Sequence, residues 1–336
     1  MKIITKIILI FIYFLSFPIN AGTLDTVRDR GYLNCGVAEN FPGFASLDDE
    51  GNWRGFDIDF CKAISLAIFN DSKKVNFVPT SSRSRFPLLA LGEIDVLIRN
   101  TTWSYSRDVN LEFEFAGINF YDGQGFMIPT SFKISNISEL DNSTICVVSG
   151  SSIELNIKYY FEKNNLEFKT VPADTFDESM NLYLNNNCDV LSGDLSVLSS
   201  SRIKIGDTNS HSILKNIISK EPLGPLVKHN DSNWADIIRW TLNALVIAEE
   251  KSINADNIDE MLNSSDPEVL RLLGEIGNYG DMMELDNKWA YNVIKELGNY
   301  SSIYEKNIGA NTIFGTKRGL NNLWTNGGLL YSPPFK

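Results

Sequence analysis

The chain is poor in the residues that hold metals and move protons. Among its 336 residues there are two histidines, His211 and His229, and four cysteines, Cys35, Cys61, Cys146 and Cys188, with no CxxC pair. A zinc site needs several such ligands at close spacing, so no metal is expected, nor any other cofactor. Positive charge is in deficit: 30 Lys and Arg stand against 42 Asp and Glu, a formal charge of −12. Such a chain does not hold nucleic acid or an anionic membrane surface by charge alone. A run long enough to span a bilayer is lacking as well, since the unbroken apolar stretch from Ile7 to Leu15 is too short.

That stretch is nevertheless informative. Lys2 and Lys6 precede it and Pro18-Ile19-Asn20-Ala21 closes it, which is the layout of a signal peptide. Cleavage after Ala21 is expected, so residues 1–21 leave and the mature, exported chain starts near Gly22. Loss of the two lysines takes the formal charge from −12 to −14. A retained membrane anchor is the alternative. The first cysteine, Cys35, lies too far from the run for a lipoprotein. In an exported chain, four cysteines suggest disulfides with three possible pairings. Pairing within each half, Cys35 with Cys61 and Cys146 with Cys188, closes loops of moderate size and would stabilise by roughly 3–4 kcal/mol each.

Hydrophobic patterning then alternates between strand and helix. Residues 32–38, 74–79 and 95–98 read as strands, with helices at 55–69 and 84–92 between them; Thr23 and Ser84 read as caps. This order predicts an α/β architecture with a parallel sheet. A second unit repeats it, with strands at 144–148, 167–171 and 188–194 and helices at 153–164 and 176–185. Tyr121-Asp122-Gly123-Gln124-Gly125 and Glu221-Pro222-Leu223-Gly224-Pro225 read as two crossings between the units. The lobes are then 22–123 with 221–336, and 124–220. Ser232 is expected to cap a helix over 233–250, and the tail from Ala255 is expected to pack around the first lobe.

Ligands in such sheets sit beyond the carboxyl ends of the strands. There the third strand turns polar: Arg99-Asn100-Thr101-Thr102, then Arg107. A guanidinium beside neutral donors suits a small carboxylate, because its fork grips both oxygens and hydroxyls meet the remaining lone pairs. Phe41 follows the first strand. Ser151 and Ser152 open a helix after another, exposing N–H groups, and Asp194 ends the last.

Phe41 and Phe44, Gly55 to Asp59, Gly92 to Val96, Asn100 to Arg107, Gly150-Ser151-Ser152 and Cys188 to Asp194 together resemble a periplasmic amino-acid-binding protein of an ABC importer. Asn100-Thr101-Thr102-Trp103-Ser104, Tyr121 to Phe126, Ile218 to Pro225 and the Tyr331-Ser332-Pro333-Pro334 tail resemble its general L-amino-acid-binding branch, within bacterial extracellular solute-binding protein family 3. The resemblance spans about 22–336. It implies a two-lobed type II periplasmic-binding-protein fold, each lobe a mostly parallel sheet flanked by helices and hinged by the two crossings. It implies free L-amino acids of many kinds as ligands, permease subunits at the inner membrane as partners, a monomer, and no enzyme activity. By the same resemblance, Arg107 grips the α-carboxylate with Asn100, Thr102, Ser151 and Ser152, Asp194 pairs with the α-ammonium, and Phe41 covers the side chain. Phe41 departs from the tyrosine of many relatives. Arg99 stands where binders of basic amino acids carry a small polar residue, which disfavours Lys or Arg and favours Glu or Asp.

Two other readings share this fold. A periplasmic cyclohexadienyl dehydratase needs a general acid; neither histidine lies in the site segments, and Glu39 and Glu154 are the carboxylates that stand out there. A sensor module would carry the same pocket and dock on a receptor instead.

Overall fold

A computed structural model of the chain describes residues 22–206 and 209–336. The expected signal peptide lies outside the described residues. Within them, no helix is long and apolar enough to cross a membrane.

The chain opens with helix α1 (Thr23–Arg30) and strand β1 (Leu33–Ala38), then the small hairpin β2 (Ser46–Leu47) and β3 (Trp53–Arg54). Helix α2 (Phe56–Phe69), strand β4 (Val75–Thr80), helix α3 (Arg85–Leu91), strand β5 (Val96–Leu97) and strand β6 (Phe113–Phe115) follow. Strand β7 (Phe120–Asp122) makes the first crossing. The second unit holds β8 (Gln124–Pro129), β9 (Ser143–Val148), α4 (Ser152–Lys163), β10 (Phe168–Ala173), α5 (Phe176–Leu184), β11 (Val190–Asp194), α6 (Leu195–Lys204) and β12 (His211–Ile213). Strand β13 (Glu221–Leu223) crosses back into β14 (Leu226–Lys228) and the long α7 (Ser232–Glu250), with α8 (Ile258–Met261), α9 (Pro267–Leu272), α10 (Trp289–Leu297) and α11 (Tyr300–Asn307) in the tail.

Two five-stranded sheets result, ordered β4-β1-β5-β14-β6 and β10-β9-β11-β8-β12. In the first, β4, β1 and β5 are parallel and β14 runs against both β5 and β6. The second repeats this, with β8 reversed between β11 and β12. Each lobe therefore carries one reversed strand, the one entered from a crossing. The crossings themselves pair as an antiparallel ribbon, Glu221 opposite Asp122 and Leu223 opposite Phe120. Gly224 ends that ribbon against Gly117, whose carbonyl oxygen would lie 2.0 Å from an added Cβ; only glycine lets the two backbones meet so closely.

The core of the first lobe gathers Phe56, Trp234, Trp289, Tyr300 and Tyr304, all essentially buried. Phe56 meets the rings of Tyr300 and Tyr304 edge-on at 5.7 and 6.1 Å, so the tail does pack on this lobe. It also reaches the ribbon: the buried Asn321 accepts from Tyr121 N (2.7 Å) and donates to Tyr121 O (3.0 Å). Two expected caps shift by one residue. Gly22 precedes α1, and Asp231 rather than Ser232 caps α7, accepting from Trp234 N at 3.1 Å while also holding Thr23 N at 2.7 Å. Ser84 precedes α3 without bonding to it as a cap. Cys35 is bonded to Cys61 and Cys146 to Cys188, each bridge tying a strand within its own lobe.

Candidate functional site

Between the lobes lies a cavity of about 130 Å³. Its first-lobe wall comes from the segments after β1, β4 and β5, its second-lobe wall from those after β9, β10 and β11, as the carboxyl-edge rule requires. Several contacts join the walls: Asn100 Nδ2 to Asp194 Oδ2 (3.0 Å), Asn40 Nδ2 to Asp177 (3.0 Å), Ser200 Oγ to the carbonyl of Pro42 (2.9 Å) and an exposed Arg83–Asp174 pair (2.8 Å).

Five of the eight residues expected from the sequence line this cavity: Phe41, Arg99, Asn100, Ser151 and Asp194. Phe41 is buried, stacked on Phe44 at 4.3 Å, so it serves the core and the cavity together. Asp194 stands at the start of α6 but does not bond to the helix as a cap. Its Oδ2 takes the Asn100 amide, and Oδ1 is buried with no hydrogen-bond partner among the described residues. Burial, and then the negative charges of Asp122 and Glu221, push its carboxyl well above the ordinary range, while Asn100 and Arg107 pull the other way.

Thr102, Ser152 and Arg107 stand just outside the cavity wall, around a residue that sequence reasoning missed. Glu221, 1% exposed, accepts from the Thr102 hydroxyl, from Ser152 Oγ (3.3 Å), from Asn156 Nδ2 (2.8 Å) and from the Ser219 hydroxyl. The hydroxyls expected to reach a ligand carboxylate are thus committed to Glu221 in this closed arrangement. Arg107, 8% exposed, donates to Thr102 O at 3.0 Å and lies over the Phe86 ring. Burial lowers its pKa, and Glu221 and Asp194 oppose that. Ser151 Oγ donates to Val148 O at 2.6 Å, which commits its hydroxyl proton.

Three further charged residues were not singled out from the sequence: Arg85 and Asp57, both buried, and Asp122, half-buried. Arg85, 3% exposed, donates to Thr101 Oγ1 at 3.3 Å, and burial together with the nearby Arg99 and Arg107 holds its pKa well below the ordinary value. Asp122 faces Ser196 and Gly123, and burial lifts it to about 6. Asp57, in the first turn of α2, is buried, and burial lifts it to about 8 against the pull of Arg99. Their only sequence signal was a charge at an apolar-looking position. Of the two candidate acids, Glu39 is exposed at the rim and Glu154 accepts from Gly150 N at 3.1 Å. His211 meets the Tyr183 hydroxyl at 2.8 Å and His229 is exposed; neither lines the cavity.

Asp57 gives a pH test of this burial. Between its ordinary 3.8 and about 8, the folded chain holds a proton that the unfolded chain has released. Its contribution to stability therefore falls as pH rises through that window. Asp57→Asn removes the effect, so the Tm of the variant relative to wild type should climb from pH 4 to pH 8 in ligand-free melts. A constant difference would contradict the buried placement.

A cavity between two α/β lobes with the Asp194 carboxyl on one wall and the Arg99 guanidinium on the other is suited to a small zwitterion, and comparison with known proteins leads the same way. Residues 33–256 match the family model of bacterial extracellular solute-binding proteins, family 3. The chain is 46% identical to the general L-amino acid-binding periplasmic protein AapJ of Rhizobium johnstonii, over 94% of each chain. It is 45% identical, over the same shares, to the glutamate/glutamine/aspartate/asparagine-binding protein BztA of Rhodobacter capsulatus. A solved ABC transporter periplasmic binding protein from Brucella ovis, with glutathione bound, superposes with a TM-score of 0.92 at 44% identity, covering 94% of this chain and all of that one. This chain belongs to the bacterial extracellular solute-binding proteins of family 3.

Proposed function

We propose that this protein binds free L-amino acids of several kinds in the periplasm, by closing its lobes over them, and delivers them to the permease of an ABC importer. The observation that carries the reading is the placement of opposite charges across the cavity: Asp194, whose Oδ1 has no partner among the described residues, on one wall and Arg99 on the other, with Arg107 buried just outside that wall. A zwitterion meets both only when the lobes are together, so ligand favours the closed state by its differential contacts. In this reading residues 22–123 and 221–336 form one lobe, 124–220 the other, and the ribbon of β7 and β13 is the hinge. Arg107 takes the α-carboxylate with Asn100 and with donors around Thr102, Ser151 and Ser152; Asp194 takes the α-ammonium; Phe41 covers the side chain. The names of AapJ and BztA support amino acids as the ligand class. Export by the 1–21 segment and action as a monomer complete the reading.

A thermal-shift panel tests it. The mature chain, unfolded and refolded to free it of carried ligand, is melted with each of the twenty amino acids. A ligand at a hundred times its Kd stabilises by about 2.7 kcal/mol, a shift of several degrees. Shifts with many amino acids are expected; shifts with none would overturn the reading.

A further inference from the structure

The tail grips the ribbon between the lobes through one side chain. Tyr121 lies opposite Pro222 in that ribbon, and proline has no N–H to give. The backbone groups of Tyr121 are met at the outer edge of β7 instead, where Asn321 accepts from Tyr121 N at 2.7 Å and donates to Tyr121 O at 3.0 Å. One buried amide thus stands in for a third strand. It is itself fixed. The Asn321 carbonyl accepts from Arg318 Nε at 2.8 Å, and Arg318 Nη2 holds both carboxylate oxygens of Glu249 on α7 at 3.1 Å. The Tyr121 hydroxyl donates to the Leu329 carbonyl at 3.2 Å, and Trp324 Nε1 donates to Glu250, next along α7, at 3.0 Å. The first lobe holds β13 from its other side, with Trp103 N on Pro222 O at 2.8 Å and Gly224 N on Thr101 O at 3.1 Å.

One residue further on, the attachments change lobe. Asp122 accepts from Ser196 N at 3.2 Å and Gly123 O from Leu195 N at 2.9 Å, both at the start of α6. Glu221, just before Pro222, reaches Ser152 and Asn156 of α4 as well as Thr102. We propose that residues 318–330 brace the hinge: Asn321 locks Tyr121 to the first lobe and confines lobe motion to the Tyr121–Asp122 and Glu221–Pro222 steps. This rests on the lobe-closing reading above and gives the tail a role in it. The brace lies beyond residues 33–256, which match the family model, and none of its residues lines the cavity. Without it, β7 bends at further residues and the open state spreads over more arrangements. Every ligand must then gather a wider ensemble, so all affinities fall by one factor while their ranking stays.

Lobe–lobe distances and affinities test the brace together. Spin labels go on cysteines introduced at exposed Leu91 of α3 and exposed Leu184 of α5, one in each lobe; the native cysteines are all bridged and stay unlabelled. Asn321→Ala should broaden the ligand-free distance distribution and lower glutamate and alanine affinity alike, by about 3- to 30-fold. Arg318→Lys keeps a cation beside Glu249 but gives up the Nε bond; it should move both readouts the same way, and it stands in if Asn321→Ala fails to fold. Phe335→Leu, packed on Trp240 and Tyr279 away from the ribbon, should lower the Tm and move neither readout. Unchanged distances and affinities in the Asn321 and Arg318 variants overturn the brace. So does a changed glutamate-to-alanine ratio, because the tail would then act on the cavity, and so does equal broadening in Phe335→Leu. Wild type that binds neither amino acid overturns the amino-acid reading instead, and the ligand-free distances still decide the brace.

Discussion

Asp194→Ala is expected to lose amino-acid affinity by about a hundredfold or more, while the ligand-free protein melts no lower than wild type at neutral pH. The first half follows from geometry. Asp194 is 5% exposed, its Oδ2 is fixed by Asn100 across the cleft, and its Oδ1 is buried with no partner among the described residues. Removing one partner of a desolvated charge pair costs about 2–5 kcal/mol, largely because the other charge stays buried alone. The second half follows from the direction of its shift. A carboxyl raised by burial holds a proton in the folded chain that the unfolded chain gives up, so its contribution to stability falls as pH rises above the ordinary range. Wild type should therefore gain on the variant as pH is lowered toward 4. Titration calorimetry and ligand-free melts at two pH values read both halves. Normal affinity in the variant would mean that the cavity's anion has been misassigned.

Glu221→Ala is expected to weaken ligand binding by about two to three orders of magnitude, although Glu221 does not line the cavity. Its carboxylate collects Thr102 from the first lobe, Ser152 and Asn156 from α4 of the second, and Ser219 beside it. It is also the first of the negative charges that sustain Arg107. Truncation strands these donors only while the lobes are together, since opening would wet them. The closed population falls, and apparent affinity falls in proportion. Small-angle scattering at saturating ligand should show a less compact variant, and Glu221→Gln, which keeps one acceptor oxygen, should recover part of the loss. Wild-type affinity in Glu221→Ala would show that this cluster carries no weight in closure.

What could be read from the sequence divides along physical lines. Arg99, Asn100, Phe41, Ser151 and Asp194 were legible because each ends or follows a strand in an alternating α/β pattern, and carboxyl edges converge on one cleft. The reversed strands β8 and β14 were not, because direction within a sheet is set by which neighbour a crossing delivers, not by periodicity. Asp231 took the cap from the adjacent Ser232 because it also bonds Thr23, 208 residues away. Glu221 escaped notice for a similar reason. A glutamate before proline in a crossing looks solvated until four donors, three of them from two distant segments, are seen around it.

The order of the first sheet also bears on when each lobe can be finished. Strands β8 to β12 all lie within residues 124–213, so the second sheet has its full set of strands once that stretch exists. The first sheet does not. Its β5 needs β14 on the far edge, and β6 has β14 as its sheet neighbour, yet β14 begins at Leu226. A chain made from its N-terminus thus carries two open strand edges through the whole synthesis of the other lobe, a state prone to wrong pairing. The lobe that is started first is completed last, and the later one is whole before it.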